Sequence, residues 1–275
     1  MFADRRIGLM LMMPAMFFVG IAFLLPVLIL LAEGLRTSEG WSLARYTSFF
    51  SDSLSQEVML RTLRLGFGVT LASAIIGYGV ALTIANASPL TRSRMTALFI
   101  LPLMISPVAR TYAWIVLLGR TGLINKVLIG IGLTEEPLRL LFSETAVFIG
   151  LLQLFLPLMV LSLTSALENL PSDIIPAARI LGANWLTIFF RLILPLTREG
   201  LIIGGTLVFT GAVTAYITPA VLGGSKVLML ETLLYQRISV ANDVATASVI
   251  AAILIGMSIV THSLIRRLTS GKRSS

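Results

Sequence analysis

The chain has no cysteine among its 275 residues. That excludes a disulfide framework, thiol catalysis and a cysteine-based metal site. Histidine occurs once, as His262, so a histidine metal cluster or proton relay would lack partners, and the residue is read as interfacial packing. Charge is scarce as well. Asp, Glu, Lys and Arg make up 12% of the chain, against roughly a quarter in a soluble domain. No G-x-x-x-x-G-K-[ST] phosphate loop occurs, and Gly271-Lys272 lacks both the preceding glycine and a strand, so the chain has no means of hydrolysing ATP by itself.

What is present is apolar: 56% of the residues are hydrophobic, and the mean hydropathy is +0.94. Six blocks approach or exceed the roughly 20 residues that cross a bilayer. They run about Gly8–Ala32, Val58–Ala87, Ala97–Leu118, Thr145–Leu167, Gly200–Leu222 and Val244–Ile265. Arg61 and Arg64, early in the second block, are expected at the interface or snorkelling towards it. Pro26, Pro102, Pro107, Pro157 and Pro219 predict kinks, tolerated where neighbouring helices satisfy the freed backbone groups. The Asp4-Arg5-Arg6 start resembles a signal peptide, but the first block is far longer than an h-region of about 7–15 residues, so an uncleaved first span is expected.

The net charge of +8 sits at the ends of these blocks, a pattern of membrane orientation and not of a nucleic-acid-binding face. Arg5, Arg6, Arg92, Arg94, Arg179, Arg191, Arg198, Arg266, Arg267, Lys272 and Arg273 fall on one side, with a short connection at Ser88–Met95. Arg36, Arg45, Arg120, Lys126, Arg139, Lys226 and Arg237 fall on the other, in longer loops. The denser side is assigned to the cytoplasm, which places both termini and the segment Glu168–Arg198 there. The expected fold is therefore an all-α integral membrane protein, one transmembrane domain over residues 1–275 with six helices.

The connection PAARILGANWLTIFFRLILPL, Pro176 to Leu196, is too polar to span and too regular to be a loop. Asp173 is an expected N-cap, with Pro176 at N3, where its missing N–H costs no helical bond. Gly182 permits a sharp turn, and Asn184 can cap a second helix starting at Trp185. Trp185, Ile188, Phe189 and Leu192 recur at i, i+3, i+4 and i+7, forming one apolar face, and Pro195 ends the helix. Two short helices joined at a glycine, with apolar contact residues exposed, are thus expected over about 172–196. Periodicity serves equally an interfacial helix lying in the headgroups and a helix that docks a protein.

These residues carry a resemblance to the inner-membrane permeases of bacterial ABC importers. That family has a cytoplasmic motif E-A-A, three residues, Gly, nine residues, I-x-L-P. Here Ala177, Ala178, Gly182, Leu194 and Pro195 fall in register, with Pro176 in place of the usual Glu and Leu192 in place of Ile. The motif lies between the fourth and fifth of the six blocks. The stretches ILPLMISPVARTYAW, Gly119 to Asn125 and AYITPAVLGGSK extend the resemblance over almost the whole chain, most closely to the spermidine/putrescine-type subfamily. The resemblance implies a transport subunit and not an enzyme, in the bacterial inner membrane, with segment 172–196 as the coupling element. It also implies three partners: an ATP-binding subunit dimer that holds ATP and Mg, a second permease, identical or different, and an extracytoplasmic solute-binding protein. No catalytic residue, metal or cofactor is expected in this chain, whose other neighbour is membrane lipid.

Arg110, within the third block, is the clearest candidate for the translocation path, because a charge there is costly unless it faces a cavity or a partner. Its alternative is a structural lock, or snorkelling to the aromatic belt marked by Tyr112 and Trp114. Tyr112, Tyr216 and Thr218 are further path candidates, with helix–helix hydrogen bonding as the alternative for the last two. Gly204, Gly205 and Gly211 are expected to allow close packing. A polyamine would be expected to meet acidic or aromatic groups, yet Glu33, Glu39, Asp52, Glu57, Glu135, Glu136, Glu144, Glu231 and Asp243 all lie in outer loops or at block ends. Arg110 suits an amino-acid-like or phosphonate solute equally. An intramembrane enzyme would need a nucleophile, ligands or paired acids that the sequence does not offer. An ion-coupled secondary transporter is the competing reading, and it lacks intramembrane carboxylates and a use for segment 172–196.

Overall fold

A computed structural model describes residues 5–37 and 40–270. Asp4, Glu39, Gly271, Lys272 and Arg273, named above, lie outside the described residues, as do the side chains of Arg5, Arg6 and Arg266. In chain order the helices are α1 (Arg5–Val19), α2 (Leu25–Leu35), α3 (Ala44–Ser51), α4 (Ser53–Ala85), α5 (Pro89–Met104), α6 (Pro107–Leu118), α7 (Leu123–Gly130), α8 (Glu144–Glu168), α9 (Ile174–Ile180), α10 (Trp185–Ile188), α11 (Leu194–Leu196), α12 (Arg198–Val213), α13 (Ile217–Leu222), α14 (Leu230–Ser239) and α15 (Val244–Ser270). The chain divides into two compact units, residues 1–57 with 233–255, and 58–232 with 256–275.

In the first unit, α1 and α2 join through a π turn at Gly20–Leu24, in which Leu25 N–H donates to Gly20 O. The wide turn precedes Pro26, whose ring and missing N–H disrupt the preceding α-turn, so the expected kink takes the form of a π bulge. A two-residue hairpin pairs Arg36–Thr37 with Gly40–Trp41. Arg45 Nη1 donates to Glu33 O at 2.9 Å and to Arg36 O, satisfying carbonyls that the end of α2 leaves without helical partners. Asp52 accepts from Ser55 N at 2.9 Å and Ser55 Oγ at 2.7 Å, capping α4. Asp243 Oδ1 accepts from Thr246 N at 3.0 Å, capping α15. Both carboxyls are held below their ordinary value, first by the side-chain bond to Ser55 or Thr246.

The second unit is built on α8, whose Val147, Leu151, Met159, Val160 and Leu163 are fully buried. Helix α12 packs along it through small residues. A Cβ added at Gly200 would lie 2.4 Å from Ala166 Cβ, one at Gly204 2.8 Å from Met159 Sδ, and one at Gly211 2.3 Å from Phe155 Cε1. Of the three glycines expected at close contacts, Gly204 and Gly211 are there. Gly205 turns aside to Thr70, 3.7 Å away, and Gly200 takes the third place. Ser162 Oγ donates to Gly200 O at 2.7 Å across the same seam. With the backbones this close, dispersion contact and an interhelical hydrogen bond replace the hydrophobic drive that lipid cannot supply.

Among the described residues, five helices are long and apolar enough to cross a membrane: Met12–Leu35, Ser53–Ala85, Pro107–Gly130, Glu144–Glu168 and Val244–Leu264. A sixth arises if Trp185–Leu196 and Arg198–Val213, bent by 70°, count as one span. The expected third span, Ala97–Leu118, is not continuous. Ile105 and Ser106 are extended between α5 and α6, because Pro107 excludes its predecessor from the α region. The fifth expected span, Gly200–Leu222, likewise breaks after Val213, and α13 resumes at Ile217.

Arg61 and Arg64, expected at the interface, are both paired. Arg61 Nε meets Glu144 Oε1 at 2.9 Å and Arg61 Nη1 donates to Leu228 O at 3.2 Å, while Arg64 pairs with the other carboxylate oxygen of Glu144. Two cations on successive turns of α4 thus share the carboxylate at the start of α8. At the other end of α8, Arg92 pairs with Glu168 at 3.2 Å.

Candidate coupling segment and translocation path

The segment after α8 folds as two short helices about Gly182. Helix α9 ends with Gly182 N–H donating to Arg179 O at 2.9 Å and Ala183 N–H donating to Ala178 O at 3.0 Å. This is a Schellman motif, which needs a left-handed residue at the position Gly182 occupies. Gly182 has φ +80°, which an L side chain reaches only with strain. Asn184 Oδ1 then accepts from Thr187 N at 2.8 Å, capping α10. Asp173 does not cap α9. Its backbone is already helical and its side chain makes no capping bond, since only an extended residue carries its side chain over the helix N-terminus.

Pro195 does not end the second helix. A π turn at Phe189–Ile193, with Leu194 N–H donating to Phe189 O, absorbs it as the turn before Pro26 does, and the chain breaks two residues later at Thr197. The apolar face also points differently from expectation. Ile188 is fully buried and Phe189 half-buried, leaving Trp185 as the exposed member. The stripe at i, i+3, i+4 seals the segment onto its own bundle: the Phe189 ring meets the Tyr78 ring edge-on, with centroids 5.3 Å apart. The exposed apolar side chains are instead Ile180 and Leu181, each 87% exposed, with Leu186 and Phe190. Within the motif, Ala178 is buried and Ala177 and Pro195 are exposed, with Leu194 between these extremes.

Tyr78 and Thr197 carry no recognisable signal in the sequence. Their hydroxyls lie 2.9 Å apart, both buried. Because Thr197 Oγ1 donates to Ile193 O at 2.7 Å, its proton is committed and the Tyr78 hydroxyl is the donor between them. The bond ties the hinge between α11 and α12 to the C-terminal part of α4.

Arg110 is buried, and its Nη1 donates to Pro102 O at 2.8 Å. Pro102 lies in the last turn of α5, where carbonyls lack helical partners. The guanidinium thus bridges the break between α5 and α6, the geometry of a lock. Tyr112 is 61% exposed and Tyr216 half-buried at the start of α13. Thr218 is buried, and a Cβ on Gly150 would meet its Cγ2 at 2.7 Å, so it sits in the seam between α13 and α8. Helices α6 and α13 pack on each other, bringing the elements that carry Arg110 and Thr218 together, while Tyr112 stays apart on the surface. No group of three metal-ligating side chains occurs among the described residues.

Comparison with known proteins bears on the whole arrangement. Residues 74–274 match the family described as binding-protein-dependent transport system inner membrane component. The chain is 34% identical over 249 residues to the spermidine/putrescine transport system permease protein PotB of Haemophilus influenzae, covering 88% of this chain and 86% of that one. It is 32% identical over 235 residues to PotB of Escherichia coli K12, covering 84% and 85%. In fold it is similar to a chain of a bacterial alginate ABC transporter solved with a pentasaccharide-bound periplasmic protein, with a TM-score of 0.80, 15% identity and coverage of 96% and 94%.

Proposed function

We propose a specific task on one premise: the chain belongs to the family of inner-membrane components of binding-protein-dependent transport systems, and is a multi-pass permease subunit of an ABC importer. Its task is to form half of the path for a small polyamine-type cation, with segment 172–196 seated on the ATP-binding subunit at the cytoplasmic side. Both termini then lie in the cytoplasm, and a second permease completes the path. ATP and Mg reside in the ATP-binding dimer, and the solute arrives on the extracytoplasmic binding protein.

One observation carries the coupling assignment. Segment 172–196 packs onto its own bundle through Ile188 and Phe189, with the Tyr78–Thr197 bond just after it, yet presents Ile180 and Leu181 almost fully exposed at the Gly182 turn. A rigid element with an apolar tip transmits displacement, where a helix lying loosely in headgroups would not. The 70° bend between Trp185–Leu196 and Arg198–Val213 agrees with a segment lying across the membrane surface. Alternating access would follow as the ATP-binding dimer shifts the population between inward and outward openings.

The polyamine assignment draws on the two permeases named above and on the position of Arg110. Its guanidinium is buried and hydrogen-bonded to Pro102 O, which aims it at the C-terminal end of α5, where that helix's carbonyl dipoles offset part of its charge. The test is ATP hydrolysis by the assembled transporter in nanodiscs, with the cognate binding protein carrying spermidine, putrescine, an aminophosphonate or an amino acid. Stimulation by the spermidine- or putrescine-loaded protein is the expected result. Unresponsive ATP hydrolysis, with ion-driven uptake by this chain alone, would overturn the assignment in favour of a secondary transporter.

A further inference from the structure

A cavity of about 310 Å³ at the Glu144 end of α8 is lined by three cations, Arg120, Arg139 and Lys226, beside an apolar wall of Leu118, Leu140, Leu141 and Phe142. Helix α8 is 25 residues long, about 37 Å at the helical rise, so this cavity lies a full span away from segment 172–196. Its three cations come from separate stretches of chain, each positioned by a specific contact. Asn125, fully buried, donates through Nδ2 to Gly119 O at 3.0 Å and Leu138 O at 3.1 Å, and accepts from Leu138 N at 2.9 Å. Residues 119 and 138 are thereby clamped side by side, and Arg120 and Arg139 follow them directly. Phe142 N–H donates to Leu222 O at 2.9 Å, and Phe142 has φ +57°, a strained value for a bulky residue. Gly224 approaches so closely that an added Cβ would lie 2.8 Å from the Phe142 ring, which brings in Lys226.

None of the three cations forms an ion pair among the described residues. Like charges gathered in one concave, partly apolar site repel one another unless an anion enters. The surroundings indicate where that anion resides. Helix α7 and the turn after it, between Arg120 and Arg139, expose Leu123, Val127, Ile131 and Leu133, each by more than half, a surface suited to the boundary between headgroups and acyl chains.

We propose that this cavity binds a phosphate oxyanion, and that its source is the headgroup of an anionic phospholipid at the membrane surface. The cations receive the phosphate oxygens, and the apolar wall receives the first carbons of the lipid. The inference needs only that the chain lies in a membrane, and stands apart from the importer reading and its solute.

The experiment is native mass spectrometry of the full chain in detergent, titrated with phosphatidylglycerol or phosphatidylcholine of identical acyl chains. The wild-type protein is expected to retain phosphatidylglycerol in clear excess. In the double variant Arg139→Gln/Lys226→Gln that preference should fall about thirtyfold, on the usual worth of two basic residues against an anionic headgroup. The charge-retaining variant Arg139→Lys/Lys226→Arg, and Arg94→Gln near the other end of α8, should keep it, which separates lost charge from lost fold. Equal retention of the two lipids, or an excess that survives the double Gln variant, would overturn the proposal. Binding of added inorganic phosphate without any phosphatidylglycerol excess would overturn the lipid source, leaving a soluble phosphate as the occupant.

Discussion

The hydroxyl of Tyr78 donates to Thr197 across 2.9 Å of buried space, joining the C-terminal part of α4 to the hinge where segment 172–196 turns into α12. The same tyrosine ring meets Phe189 edge-on. One side chain therefore holds both the apolar stripe of the segment and its exit from the turn. Under the coupling role proposed above, a displacement of the segment would be passed to α4 through Tyr78 and to α12 through Thr197.

Tyr78→Phe keeps the ring contact and removes one buried hydrogen bond, at a cost of about 1 kcal/mol. Tyr78→Ala removes the ring as well and should cost about 3–5 kcal/mol. Thermal unfolding in detergent should rank the wild type above Tyr78→Phe and Tyr78→Phe well above Tyr78→Ala. In the assembled transporter, the Ala variant should hydrolyse ATP with reduced solute uptake.

Gly182 has nothing within 4 Å of the place a Cβ would occupy, so any penalty there is one of backbone and not of clash. Gly182→Val should cost about 1–2 kcal/mol for its left-handed φ and misalign Ile180 and Leu181. Gly182→Asn, which tolerates that conformation, should be milder. Uptake is expected to fall in the order wild type, Asn, Val, with the protein inserted equally in all three.

The α8–α12 seam makes a purely structural prediction. Gly204→Leu places bulk where Met159 Sδ already lies 2.8 Å from an added Cβ, and overpacking of this kind costs about 1–3 kcal/mol or more. Gly205→Ala, whose Cβ would meet Thr70 Cγ2 at an ordinary contact distance of 3.7 Å, should be near neutral. Melting temperatures of the two variants check the contrast.

Two carboxyls outside the spans respond to pH with opposite signs. Burial raises the Glu231 carboxyl above its ordinary 4.5, so ionisation weakens the fold as pH rises through and above that value. Glu231→Gln should therefore melt higher than the wild type at neutral pH and lose that advantage below about pH 4. Asp52, held below its ordinary 3.8 chiefly by Ser55, contributes above that value and loses its contribution as pH falls through its lowered pKa. Protection of the Ser55 amide from hydrogen exchange, taken relative to the intrinsic rate at each pH, should fall only in acid, and should be low above that range in Asp52→Ala.

Much of this was legible in the sequence, because the two halves of the problem write differently into it. Apolar length sets where α4, α8 and α15 lie, so those spans appear within a few residues of expectation. Gly182 and Asn184 act through their own backbone and nearest neighbours, and their turn and cap were readable from residue type alone. Pro107 marked a kink at Ser106, though not a full break, whereas the break after Val213 was hidden because hydropathy continues straight through it. The direction of the Trp185–Phe189 stripe was hidden for a related reason. Periodicity identifies an apolar face, but only the tertiary fold decides whether that face meets lipid, a partner or the chain's own bundle. Tyr78 and Thr197 left no local mark, since their bond joins residues 119 positions apart.

The central claim, that segment 172–196 grips the ATP-binding subunit, is tested most directly by cross-linking. The chain has no cysteine, so Leu181→Cys introduces a single thiol at the exposed tip, in a residue 87% exposed. In the assembled transporter a short thiol–amine cross-linker should join that position to the ATP-binding chain, with the yield changing on addition of ATP. A Leu181→Cys protein that forms no such product, and is labelled instead by an impermeant reagent from the extracytoplasmic side, would contradict the account.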